Sequence, residues 1–263
     1  MLNSFEIIAH KGRNLSAKEN SIEGIEEIRQ VSQDLRIEID INVTKDDVPI
    51  LFHDVTLSRL FGINTTIFEH TYAELNAMLG GFCIPSLEDV LQRYPEQKFL
   101  LDLRTDLHTN FFEGSTITPE DIQFDHTEKL LSALQKILTT ENTRHCRIWV
   151  ASLAEKLRVQ PMFPGCEVDL PERLLREHLG AVLSNGDISF LGDSPKRVYI
   201  SFSRITAELV ELFQQRGIEV ILCSSLQKNR KAAFDKAFRL GVNGIVTADI
   251  TATDITLQRE SFS

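Results

Sequence analysis

The stretch Arg36-Ile37-Glu38-Ile39-Asp40-Ile41-Asn42-Val43 decides how the rest of the chain is read. Its period of two puts Ile37, Ile39, Ile41 and Val43 on one face of an extended strand and Glu38, Asp40 and Asn42 on the other. Taken alone, a sheet with one wetted face accounts for the alternation. Two neighbouring runs shift the balance. Phe99-Leu100-Leu101-Asp102-Leu103-Arg104 carries Asp102 and Arg104 on a shared face, and Ile7-Ile8-Ala9 ends at His10. Three strands thus hold ionisable groups toward their C-terminal ends, the rim at which a parallel barrel keeps its active site.

Working outward, short runs rich in Ile, Val and Leu recur at 5–10, 36–43, 98–104, 147–151, 166–170, 197–202, 219–224 and 242–247. Helical spacing follows most of them, at 20–31, 85–94, 125–138, 171–179, 206–216 and 229–240. Residues 48–53 read as an offshoot of the second strand, 55–82 as an insertion or lid, and 105–119 as a polar loop. The expected architecture is α/β, one (β/α)8 TIM barrel over 1–263 with a small insertion after the second strand; a doubly wound open sheet gives a similar string.

With 263 residues, 42% hydrophobic and 25% charged, the composition excludes disorder and collagen-like repetition. Twenty-eight Lys plus Arg against 38 Asp plus Glu give a net charge of -10, which repels nucleic acid and anionic membranes at long range. No run of 18 apolar residues and no secretory leader pattern stands out, so neither membrane insertion nor secretion is expected, and a cytoplasmic setting is. Cys83, Cys146, Cys166 and Cys223 form no C-x-x-C pair and are expected to be packed thiols.

In a barrel, Glu38, Asp40 and Asp102 converge in a low-dielectric mouth, where their repulsion is costly unless positive charge lies between them. A divalent cation satisfies that need, and oxygen ligands favour Mg2+, Ca2+ or Mn2+ over zinc. Arg or Lys salt bridges fill such mouths as well. His10 and His53 flank the acidic strand and could divide proton transfers between base and acid, although a lone His is usually structural. Lys11, Arg13 and Arg104 offer positive charge to an anion such as phosphate.

Ala9-His10-Lys11-Gly12, then Glu19-Asn20-Ser21, Ile37-Glu38-Ile39-Asp40, and Val48-Pro49-Ile50-Leu51-Phe52-His53-Asp54 with Leu57 and Arg59, resemble in order and spacing the glycerophosphodiester phosphodiesterase family. Thr71-Tyr72-Ala73-Glu74-Leu75, Ile84-Pro85-Ser86-Leu87-Glu88 and 241–247 continue the likeness, which is strong before about residue 104 and weak between 105 and 198. The resemblance implies Glu38, Asp40 and Asp102 as ligands of a divalent cation and His10 and His53 as the catalytic pair. It also implies Lys11, Arg104, Glu19 and Asn20 as substrate-side residues. The implied reaction takes a small phosphodiester: its glycerol hydroxyl attacks phosphorus, a cyclic phosphate forms and water opens it, leaving an alcohol and a phosphomonoester such as glycerol 3-phosphate.

Lys11 replaces the family's usual Arg, Asp102 and Arg104 replace Glu and Lys, Ile221-Leu222-Cys223-Ser224-Ser225 lacks the usual Trp-Thr-Val-Asn, and Thr247-Ala248 replaces Thr-Asp. Two alternatives accompany these departures: a relative that releases the cyclic phosphate or takes a lysolipid, and a barrel that binds a phosphorylated ligand without turnover.

Overall fold

The computed structural model describes residues 5–13, 17–105, 112–122, 126–169, 196–224 and 229–251, with scattered positions between 182 and 188 and at 253–254. Eight parallel strands carry the architecture: β1 (Glu6–Ala9), β2 (Arg36–Val43), β4 (Phe99–Leu103), β5 (Cys146–Trp149), β6 (Glu167–Asp169), β7 (Arg197–Ser201), β8 (Glu219–Cys223) and β9 (Gly244–Thr247). Their hydrogen-bonded order is β6-β5-β4-β2-β1-β9-β8-β7, and β3 (Pro49–Leu51) pairs antiparallel with β2 off this path. All eight expected strands are present. The order bends the sheet into a nearly closed barrel, which settles the open-sheet alternative. Side chains bridge the seam between β6 and β7: the Tyr199 hydroxyl donates to Asp169 over 2.9 Å, and the Lys196 ammonium reaches Glu167 at 2.5 Å.

Alternation dictates what each strand face does. Ile37, Ile39, Ile41 and Val43 are fully buried in the layer between sheet and helices, each such side chain contributing about 1.5–3 kcal/mol. A smaller cluster of Ile8, Leu100, Tyr199, Ile221 and Val246 forms a separate apolar core, onto which Trp149 stacks with ring centroids 4.7 Å from Tyr199. At the strand starts, ion pairs join the register: Glu6 with Arg36 at 2.9 Å and Arg197 at 2.6 Å, Arg197 with Glu219 at 2.6 Å, and Arg147 with Glu167. The N-terminal end of the barrel is therefore polar but internally compensated. The C-terminal rim carries the uncompensated chemistry.

Flanking helices are α1 (Ile22–Val31), α4 (Leu87–Arg93), α5 (His126–Ile137), α6 (Thr140–Thr143), α7 (Leu153–Met162), α8 (Ala207–Gln214) and α9 (Arg230–Leu240). The stretch between β3 and α4, expected over 55–82 as an insertion or lid, holds α2 (Ser58–Phe61), a 3-10 turn at Ile67–Glu69 and α3 (Tyr72–Met78). A reciprocal Thr71–Glu74 capping box starts α3. Helix α7 has no counterpart in the sequence reading, because Pro161 interrupts it, Leu157 is exposed and Val159 alone is buried. The helix expected at 171–179 lies outside the described residues.

The thiols are not all packed. Cys146 and Cys166 are buried, and burial pushes both up to about 12, whereas Cys83 is exposed just past the Gly80-Gly81 turn. Among the described residues no helix is long and apolar enough to cross a membrane.

Candidate active site

At the end of β1 the chain turns through a short 3-10 segment, His10–Gly12. Lys11 adopts φ 58°, ψ 30°, a left-handed conformation costly for a residue with a Cβ. Packing holds it there. A Cβ on Gly24 of α1 would run into the Gly12 carbonyl oxygen, so helix and turn meet backbone to backbone. The strained turn aims the Lys11 amide at Glu38 Oε2, 2.6 Å away, and brings His10 Nε2 to 3.9 Å from the same oxygen.

Asn20, also left-handed at φ 56°, holds the second carboxylate. Its backbone amide donates to the Lys11 carbonyl at 2.6 Å, its side-chain amide donates to Asp40 Oδ2 at 2.7 Å, and its Oδ1 accepts from the Asp40 amide at 2.9 Å. Asp102 is the register partner of Asp40 on β4. One oxygen from each of Glu38, Asp40 and Asp102 lies within 4.8 Å of the others. Glu38 and Asp40 are buried, and Asp102 is partly exposed toward the mouth.

Charge in this cluster is unevenly shared. Burial, then the Asp40 and Asp102 carboxylates, raise the Glu38 carboxyl well above the usual range. Burial also opposes ionisation of Asp40, but Arg104, His53, Lys11 and the Asn20 amide outweigh it and hold that carboxyl far below its ordinary value. Arg104 Nη2 bonds Asp40 Oδ1 and lies 3.1 Å from Asp102 Oδ2. The imidazole of His10 is pushed down to about 3 by burial and then by Lys11, so it is neutral at physiological pH.

The other histidine sits in a braced chain. His53 Nδ1 is 2.5 Å from Asp54 Oδ1, and Arg59 Nε donates to Asp54 Oδ2 at 2.6 Å. Arg59 in turn pairs with Glu19, which lies 3.7 Å from Lys11 Nζ. Asp54 thus links the His53 ring to Arg59 and fixes the orientation of the imidazole.

The fold thus brings His10, Lys11, Glu19, Asn20, Glu38, Asp40, His53, Asp102 and Arg104 to one rim. Asn20 is taken up with Asp40, Glu19 with Arg59 and Lys11, and Arg104 with Asp40 and Asp102. Asp54 and Arg59 stood inside the quoted motif but received no role from the sequence. The available signal was the spacing of an acid adjacent to His53 and a cation five residues later.

The donor set fits a hard divalent cation. Three carboxylate oxygens converge within 4.8 Å, and burial, then the repulsion of Asp40 and Asp102, makes ionisation of Glu38 costly without added positive charge.

A model of the glycerophosphoryl diester phosphodiesterase family matches residues 10–252. The chain belongs to that family. As a member it is a phosphoric diester hydrolase by kinship. It is 24% identical over 272 residues to a lysophospholipase D of Mus musculus, covering 94% of this chain and 80% of that protein. It is also 23% identical over 263 residues to a glycerophosphodiester phosphodiesterase of Bacillus subtilis (strain 168), covering 91% and 82%. The solved glycerophosphoryl diester phosphodiesterase from Parabacteroides distasonis ATCC 8503 shares the fold with a TM-score of 0.70 at 20% identity, over 99% of this chain and 88% of that one. An Oleispira antarctica phosphodiesterase solved with sn-glycerol-3-phosphate superposes with a TM-score of 0.68 at 17% identity, over 96% of each chain.

Proposed function

We propose that this family member hydrolyses a glycerophosphodiester, or a closely related small phosphodiester, in a reaction that depends on a divalent cation and on His10 and His53. The observation that carries the reading is the convergence of a neutral His10, a carboxylate-braced His53 and the Glu38-Asp40-Asp102 cluster at one rim. The sn-glycerol-3-phosphate held by the Oleispira antarctica relative supports a product of the same kind here.

Glu38, Asp40 and Asp102 would hold the cation. When bound, it supplies positive charge against the phosphoryl oxygens as their negative charge grows. The chain's own residues divide the proton work. His10, beside Glu38 at the end of β1, suits the base that takes the proton of the attacking hydroxyl. His53, whose Nδ1 faces the Asp54 carboxylate, suits the acid, because that carboxylate stabilises the imidazolium needed to protonate the departing alcohol. Lys11 contributes a cation beside the mouth.

The test is hydrolysis of glycerophosphocholine and glycerophosphoethanolamine by purified protein with Mg2+, Ca2+ or Mn2+ and with chelator. Release of glycerol 3-phosphate only with cation is expected; no cation-dependent hydrolysis of any diester overturns the reading. Phosphorus NMR of early turnover separates a hydrolase from an enzyme that stops at the cyclic phosphate.

A second substrate reading draws on Phe61 and Phe82, whose rings lie 5.3 Å apart under the ammonium of Lys18, the chain neighbour of Glu19. This partly exposed aromatic pair, with the lysophospholipase D relative, favours a lysophospholipid whose acyl chain rests there. Faster turnover of lysophosphatidylcholine than of glycerophosphocholine, lost in Phe61→Ser, supports it; equal rates refute it.

A further inference from the structure

Asp40 is completely buried, and each of its oxygens already has a protein partner. Oδ2 accepts from the Asn20 amide at 2.7 Å, while Oδ1 is held by Arg104 Nη2. The same guanidinium nitrogen lies 3.1 Å from Asp102 Oδ2. Because Arg104 Nη2 lies between Asp40 Oδ1 and Asp102 Oδ2, a cation that joins these two carboxylates through those oxygens meets the guanidinium there. Arg104 therefore stands on the oxygen that the ion needs. Its main chain cannot retreat: the Arg104 amide donates to the Ile41 carbonyl at 3.0 Å, and its carbonyl is 2.8 Å from His126 Nε2. Only the side chain can move.

We infer that Arg104 is a resident counter-cation, displaced from Asp40 and Asp102 when a divalent ion loads, so that loading converts it from a carboxylate partner into a free donor for the substrate phosphate. The inference rests on the cation-dependent reading above. Without an ion, the guanidinium keeps two close carboxylates compensated; with the ion, two positive groups crowded on the same carboxylates repel, and the planar fork turns to an incoming phosphate. Metal affinity is then set by competition with an internal cation as well as by the three ligands.

The experiment titrates Mn2+ into chelator-stripped wild type, Arg104→Met and Arg104→Lys by calorimetry. Fluorescence of Trp149, the one Trp of the chain and the register neighbour of Asp102, gives a second signal. Arg104→Met is expected to bind Mn2+ at least about tenfold more tightly than wild type, the modest end of what one removed close charge contributes, and Arg104→Lys to fall between them. Equal or weaker binding by Arg104→Met overturns the inference while leaving a metal enzyme intact. If neither wild type nor variants bind any divalent ion, the cation-dependent reading falls and takes the inference with it. Should Arg104→Met not fold without metal, the wild-type protein decides: the Arg104 side-chain Nε–H resonance should shift and lose exchange protection on saturation with a diamagnetic ion. An unchanged resonance refutes the displacement.

Discussion

Replacing Asp54 by Asn isolates the role assigned to the His53–Asp54 contact. Asp54 is fully buried and accepts from both His53 Nδ1 and Arg59 Nε. An Asn of the same shape has one acceptor oxygen for two donors, so one amide N–H must face either the imidazole or the guanidinium. The mismatch costs about 1–3 kcal/mol, which at this size lowers Tm by about 2–6 °C. Arg59 keeps Glu19 as a partner, so the fold survives. Catalysis suffers more than stability. With the carboxylate gone the imidazolium loses its partner, and general-acid assistance of about 10²–10⁴-fold is forfeited in kcat with little change in KM. The leaving group provides the discriminating assay. Glycerophosphocholine releases an alkoxide that needs the proton, whereas glycerophospho-p-nitrophenol releases a phenolate that does not. Asp54→Asn should slow the first substrate at least about 100-fold and the second less than about tenfold. An equal fall for both would show that Asp54 merely positions the rim, and an unchanged kcat would remove His53 from the acid role.

Three further outcomes follow from the geometry. Gly24→Ala should drive a methyl into the Gly12 carbonyl, cost about 1–3 kcal/mol by overpacking and, by shifting the His10–Gly12 turn, lower kcat on the order of 100-fold; a variant with wild-type rate and Tm would refute the backbone-to-backbone packing. In chelated protein, His10 stays neutral when folded down to about 3 but takes a proton near 6.5 when unfolded, so stability is lost as pH falls below 6.5 and the loss ends near 3. Urea unfolding should show about 1–2 kcal/mol of this loss between pH 7 and 5, and His10→Asn should lack it; identical pH slopes would refute it. At the other end of the barrel, burial opposes the Glu6 charge but Arg36 and Arg197 outweigh it and lower its carboxyl. Glu6→Gln should therefore cost about 1–3 kcal/mol at pH 7, with the difference shrinking as pH falls below 4.5 through the lowered folded value; a constant difference down to pH 3 would count against the ion pairs.

The barrel was legible because each strand had to face two environments. Ile37 to Val43 could bury one side only if Glu38, Asp40 and Asn42 shared the other, and the same constraint ties Asp102 to Arg104. Helices with a broad apolar stripe, such as α1 and α5, were visible for a similar reason. Helix α7 was not, since it buries little and contains Pro161, although Ser152-Leu153-Ala154-Glu155 spells a capping box that would have marked its start. In the site, residue types were readable but pairings were not. Nothing in the spacing says that Asn20 grips Asp40 from both sides, that Arg59 reaches Glu19 across 40 residues of chain, or that Arg104 lies on the ligand oxygens. Those contacts depend on the left-handed turns at Lys11 and Asn20, which neither residue type advertises.

Charge balance at the rim joins these strands of argument. Five carboxylates, Glu19, Glu38, Asp40, Asp54 and Asp102, face three fixed cations, Lys11, Arg59 and Arg104, and His10 is neutral. Two of the cations are drawn outward: Arg59 serves Glu19 and Asp54, and Lys11 lies against Glu19. In the deep cluster Arg104 is the cation bonded to Asp40 and Asp102, Lys11 and His53 act on Asp40 at longer range, and burial, then the two aspartates, raises the Glu38 carboxyl. On the inference drawn above, a divalent ion would bring positive charge to Glu38 and release Arg104 in the same event, and the guanidinium would then be available to a diester carrying one negative charge. A chain with a net charge of -10 can in this way repel polyanions at long range and still receive a small anion at one rim.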